Sequence, residues 1–136
     1  MNHKSIQRMS ACVLAITFGT AIPFAGAGAQ TTAQDFTATT TADFVALCNA
    51  SPSDPNYVAA IHFCEGFTVG AYQYYRAMAN DPADRFVCLP NPEPSRDSVK
   101  ASFVAWAQGN PAAMNEAPVD SFFRFLGETY PCSPRQ

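Results

Sequence analysis

Residues 54–79 read DPNYVAAIHFCEGFTVGAYQYYRAMA, and the periodicity of this stretch decides the fold class. Tyr57, Ile61, Cys64, Thr68, Ala71, Tyr75 and Met78 recur at steps of three and four. That spacing lays one apolar seam along a helix, with Cys64 inside it. Asp54-Pro55 supplies an N-cap acid followed by proline at the first helical position, so the helix is expected over residues 55–79. Asn80-Asp81-Pro82 ends it. Gly66 and Gly70 lie four apart inside this helix, where each costs about 1 kcal/mol relative to alanine. They are expected as structural positions that admit another helix closely.

Working outward, the flanking segments are also helical. Upstream, Thr41 is expected to N-cap a short helix over residues 42–49, with Asp43 in its first turn and Phe44, Leu47 and Cys48 on one face. Downstream, residues 84–94 hold Cys88-Leu89-Pro90 and three prolines in all, an irregular crossover. Ser95 caps a helix over residues 96–108 that presents Val99, Phe103, Val104 and Trp106, with Gly109 as its stop. A short turn over residues 111–116 and a last helix from Pro118 to about Thr129 follow, the latter burying Phe122, Phe123, Phe125 and Leu126. No strand alternation is visible. The expected architecture is all-α: a small bundle of four main helices.

The chain has 136 residues, 48% hydrophobic and 14% charged, a balance that folds rather than stays disordered. Its first 29 residues have the three parts of a secretory signal peptide. Lys4 and Arg8 come first, then a largely apolar run over residues 9–24, then the small residues Ala25-Gly26-Ala27-Gly28-Ala29. The run is short for a membrane span and Pro23 interrupts it. Cleavage after Ala29 leaves an exported, periplasmic chain with eleven acidic and six cationic side chains, a net charge of −5. That charge argues against nucleic acid and anionic membrane as partners and permits a basic protein. Residues 30–41, rich in Thr, Ala and Gln, are expected as a flexible leader, residues 42–132 as the domain, and residues 133–136 as a tail.

Cys48, Cys64, Cys88 and Cys132 remain in the exported part, an even number, so two disulfides are expected to staple a marginal core. Three pairings are possible. Cys48–Cys64 with Cys88–Cys132 is preferred: the first fastens the short helix to the long one, the second ties the C-terminus to the crossover. Zinc is disfavoured, since there is no CxxC pair and His62 is the sole histidine after cleavage.

No catalytic, metal or cofactor motif stands out. His62 and Glu65 share a helix face and are the strongest acid–base candidate, but they read more simply as a surface histidine beside an acid. There is no G-x-S-x-G elbow, P-loop or G-x-G-x-x-G. Tyr72, Tyr74 and Tyr75 cannot all face one side of a helix. Tyr72, Tyr74 and Arg76 are therefore the candidate partner-binding residues, since exposed Tyr and Arg favour interfaces.

Four elements in order resemble a known family. Cys64-Glu65-Gly66-Phe67-Thr68-Val69-Gly70 resembles its C-x-x-aromatic-x-x-Gly element, and Cys88-Leu89-Pro90 its Cys-x-Pro element. Residues 103–111, FVAWAQGNP, resemble its helix ending before Asn/His-Pro, and Tyr130-Pro131-Cys132 its closing aromatic-Pro-Cys. The family is the Rap/Tai group of immunity proteins against type VI secretion amidase effectors. The resemblance implies a periplasmic, often dimeric helical protein, not an enzyme, that occludes a peptidoglycan amidase. It carries over the four cysteines, Gly70 and Pro131 as structural positions. The alternative reading is a periplasmic acid-stress chaperone, whose many carboxylates would lose charge in acid and expose apolar surface, or another small helical binding protein.

Overall fold

The computed structural model describes residues 29–133. The expected signal peptide, but for Ala29, and the tail beyond Ser133 lie outside the described residues. Four helices follow one another: α1 (Thr41–Cys48), α2 (Tyr57–Met78), α3 (Arg96–Gly109) and α4 (Pro118–Thr129). A 3-10 turn at Asp35–Thr37 precedes α1, and others at Pro82–Asp84 and Pro111–Asn115 lie between α2 and α3 and between α3 and α4. Among the described residues there is no strand, only an isolated antiparallel bridge between Val87 and Pro131.

α1 starts one residue earlier than expected. Thr40, not Thr41, is the N-cap: its hydroxyl accepts from the Asp43 N–H while the Asp43 carboxylate accepts from the Thr40 N–H, a reciprocal capping box. Thr41 is buried instead. Its Oγ1 lies 2.7 Å from Ser121 Oγ and 3.0 Å from the Glu116 carbonyl, and Ser121 Oγ lies 3.0 Å from the Pro118 carbonyl. α1 is thereby tied to the start of α4.

α2 starts two residues later than expected. Pro55 sits in a turn, and the Asp54 carboxylate accepts from the Asn56 N–H at 2.7 Å. Its second oxygen accepts from the Thr31 N–H at 2.6 Å, and the Asn56 side chain donates to the Thr31 carbonyl at 3.1 Å. Residues 30–41 are therefore not a free leader along their whole length. Thr31 is buried, Phe36 meets Phe63 edge-on at 5.8 Å, and Ala38 turns the chain at φ 45°. The polar composition of the segment concealed these anchors.

The seam of α2 also differs from the expected one. Ala60 and Cys64 are buried and Phe63, Phe67, Ala71, Tyr72 and Tyr75 pack beside them, whereas Met78 is 67% exposed. The reason is length. At 1.5 Å per residue, the 22 residues of α2 outrun the 8 of α1. Gly66 and Gly70 admit no neighbouring helix. Both are exposed, and a Cβ at either would meet nothing within 4 Å. Gly109 is the last residue of α3 rather than a left-handed stop; Asn110 follows, its side chain donating to the Trp106 carbonyl at 2.7 Å.

The core is aromatic. Phe103 of α3 is fully buried and touches Phe44 of α1 and Phe122 and Phe125 of α4, ring centroids 5.6–5.7 Å apart. Trp106 packs on Phe103 and Phe125 at the edge of this cluster and donates its indole N–H to Glu128 at 2.6 Å. Two disulfides fasten the fold. Cys48–Cys64 joins α1 to α2 within the core, and Cys88–Cys132 joins the crossover to the residues after α4. Backbone bonds from Cys88 to Tyr130 and from Cys132 to Phe86 flank the second bridge. The Tyr75 hydroxyl accepts the N–H groups of Phe86 and Val87, docking the crossover on α2.

Candidate functional site

A groove of about 460 Å³ opens between α2, the crossover, α3 and α4. Thr68, Val69, Tyr72, Gln73 and Arg76 form its α2 wall, recurring at helical spacing. Leu89, Glu93 and Pro94 come from the crossover and Arg96 and Val99 from α3, while Phe122 and Leu126 of α4, both 2% exposed, lie at the bottom. The groove has an apolar floor and a charged rim.

The rim charges are unevenly paired. Arg76 Nη1 lies 3.4 Å from the Tyr72 hydroxyl, with its guanidinium 5.9 Å from the Tyr72 ring centroid. Tyr72 first, and Glu93 after it, push the Arg76 pKa further up. Arg96 forms no ion pair or side-chain hydrogen bond among the described residues. The other cations are occupied. Lys100 Nζ lies 2.7 Å from Asp97 and 3.3 Å from Glu65, Arg85 donates to the Ala79 and Asn80 carbonyls, and Arg124 pairs with Glu116.

The structure brings Tyr72 and Arg76 together on this groove. Tyr74 stands outside it, 67% exposed. None of the other lining residues, Arg96, Leu89 and Val99 among them, is expected as a site from the sequence. Arg96 carried a signal. It is the first residue of α3, where the positive end of the helix dipole disfavours a cation.

His62 and Glu65 do share a shallow depression, with Gly66, Val69 and Arg96. Glu65 is held by Lys100, and the exposed His62 side chain makes no hydrogen bond among the described residues. Among the described residues, no group of three or more His, Cys, Asp or Glu side chains is placed to hold a metal ion. No helix of the described residues is long and apolar enough to cross a membrane. What the arrangement does support is recognition: an apolar trough with hydrogen-bonding and cationic groups above it.

The fold and groove define a disulfide-bonded, all-α binding domain. The family model of the Rap1a immunity proteins matches residues 40–132, from the cap of α1 to the last cysteine. The chain belongs to the Rap1a immunity proteins. Neither the curated proteins nor the solved structures give a match. Family membership implies a partner-binding, non-catalytic role toward a cognate effector.

Proposed function

We propose that this chain is a periplasmic immunity protein that binds a peptidoglycan amidase delivered by type VI secretion and occludes its active site. The observation that carries the reading is the family match across 93 consecutive residues, 40–132. The expected signal peptide and two disulfides support an oxidising, extracytoplasmic compartment. Inhibition by occlusion needs no catalytic group on this chain, only a surface that stays in place, which the bridges and the aromatic core provide. The self-association suggested by the resemblance belongs to the same proposal.

The test begins with a pull-down of the mature, oxidised protein against the products of neighbouring genes. A captured amidase is then purified, and its hydrolysis of peptidoglycan is titrated with the protein. Inhibition complete near one equivalent, and protection of cells that export the amidase to the periplasm, are the expected results. His62→Ala is expected to protect as well as the wild type. An amidase that hydrolyses peptidoglycan at full rate in a tenfold excess of the protein overturns the reading.

A further inference from the structure

We infer that the groove between α2, the crossover and α3 is the surface that receives the effector, and that its occupant is a short effector segment carrying a carboxylate beside an apolar side chain. This rests on the immunity reading above and adds the face and the chemistry of recognition.

The argument starts from charge. The described residues hold eleven acidic side chains and five cationic ones. Three of the five are occupied within the fold, Lys100 and Arg124 by carboxylates and Arg85 by backbone carbonyls. The two without a carboxylate within ion-pair distance, Arg76 and Arg96, both stand on the rim of one groove. An acidic molecule that leaves two guanidiniums without an ion-pair partner at one place presents a local site for an anion.

Folding does not account for Arg96. A cation at the first position of a helix opposes the helix dipole, and this one gains no partner in return. A residue that breaks a local rule without compensation inside the fold points to a contact outside it. Arg76 is differently prepared. The Tyr72 hydroxyl holds its guanidinium, limiting the conformational freedom that binding would otherwise have to remove.

The second half of the inference comes from the floor. Leu89, Val99, Phe122 and Leu126 offer apolar surface that a bare anion would not use. About 460 Å³ is the size of a cleft for a few side chains, not for a folded element. An apolar side chain enters the trough, and the neighbouring carboxylate reaches the guanidiniums. Glu93, on the same rim, acts against that carboxylate. The geometry therefore gives opposite signs for substitutions at adjacent rim positions.

The experiment measures the affinity of the purified, captured amidase for the full-length mature protein and its variants by calorimetry. Arg76→Ala combined with Arg96→Ala is expected to weaken binding at least tenfold, and the two Lys substitutions to restore most of it. Glu93→Gln is expected to tighten binding severalfold. The Arg96→Ala variant is expected to melt no lower than the wild type, which separates lost recognition from lost folding. Equal affinities for wild type and the double Ala variant overturn this inference while leaving the immunity reading intact. Absence of binding by the wild type overturns the immunity reading itself. A wild-type dimer that becomes monomeric in the double Ala variant, with amidase affinity unchanged, assigns the groove to a second copy and overturns the inference as well.

Discussion

Three buried polar residues, in two clusters, carry more of the fold than their small size suggests. Asp54 accepts N–H bonds from Thr31 first and Asn56 second, and these hold its carboxyl below the usual aspartate value despite its burial. A lowered folded pKa makes this contribution fully present above the unfolded value of about 3.9 and lost as pH falls through the still lower folded value. Acidification well below the unfolded value is therefore expected to release the segment around Thr31 before the aromatic core opens. Amide exchange at Thr31 checks it, and in Asp54→Asn the exchange is expected to be already fast at neutral pH. Thr41 and Ser121 form the second case. Their two hydroxyl protons are shared among three acceptors, one of them Ser121 Oγ itself. Ser121→Ala leaves Thr41 with the Glu116 carbonyl and is expected to cost about 1 kcal/mol in denaturant unfolding.

At the scale of the element, α2 is a long helix with two faces of different origin. One face is fixed by Cys64, Phe67, Ala71 and Tyr75 against the rest of the domain. The opposite face carries Gly66 and Gly70 in open space. Glycine there pays the full backbone entropy of a helical position without a packing gain. Gly66→Ala and Gly70→Ala are each expected to stabilise the isolated protein by about 1 kcal/mol, a rise in Tm of about 4–8 °C for a domain of this size. A fall in Tm would mean that a neighbour approaches this face closely in solution. The capping box of α1 makes the reverse prediction: Thr40→Ala is expected to lower stability by about 1 kcal/mol in the same melts.

At the scale of the whole molecule, the two disulfides do different work. Cys48–Cys64 closes a span of 16 residues and Cys88–Cys132 one of 44, which chain entropy alone values at about 3 and about 4 kcal/mol. Burial reverses the order of vulnerability. Cys64 is 0% and Cys48 5% exposed, whereas Cys88 lies on the surface beside a half-buried Cys132. A thiolate must reach a sulfur to exchange with it, so graded reductant under native conditions is expected to open Cys88–Cys132 first. Alkylation read by mass spectrometry is expected to label Cys88 and Cys132 while Cys48 and Cys64 stay protected. Simultaneous labelling of all four would show that the C-terminal bridge holds the core together. Opening that bridge frees the crossover, and Leu89 and Glu93 of the groove with it, so effector affinity is expected to fall before the fold is lost.

The sequence by itself determined the helical class, the order of the four helices and the family. Each rests on a local pattern: a 3.6-residue apolar period, a Ser or Asp-Pro start, a cysteine spacing. Local pattern also placed the last helix correctly at Pro118–Thr129, with Pro118 at its first position, whereas the same rule put Pro55 into α2 two residues too early. Local pattern misplaced what depends on distant partners. Thr41 is buried because it finds Ser121, eighty positions away, and Thr40 caps α1 through Asp43, three positions on. Met78 continues the seam of α2 by periodicity, yet the neighbouring helices stop before they reach it. The polar run around Thr31 is anchored by Asp54 and Asn56, which composition cannot reveal. The groove belongs to the same class. Tyr72 and Arg76 were legible as an exposed pair on one helix, but Arg96 and Leu89 join them only through the path of the crossover. A helix period encodes which way a side chain points, and only the packed chain decides what it then meets.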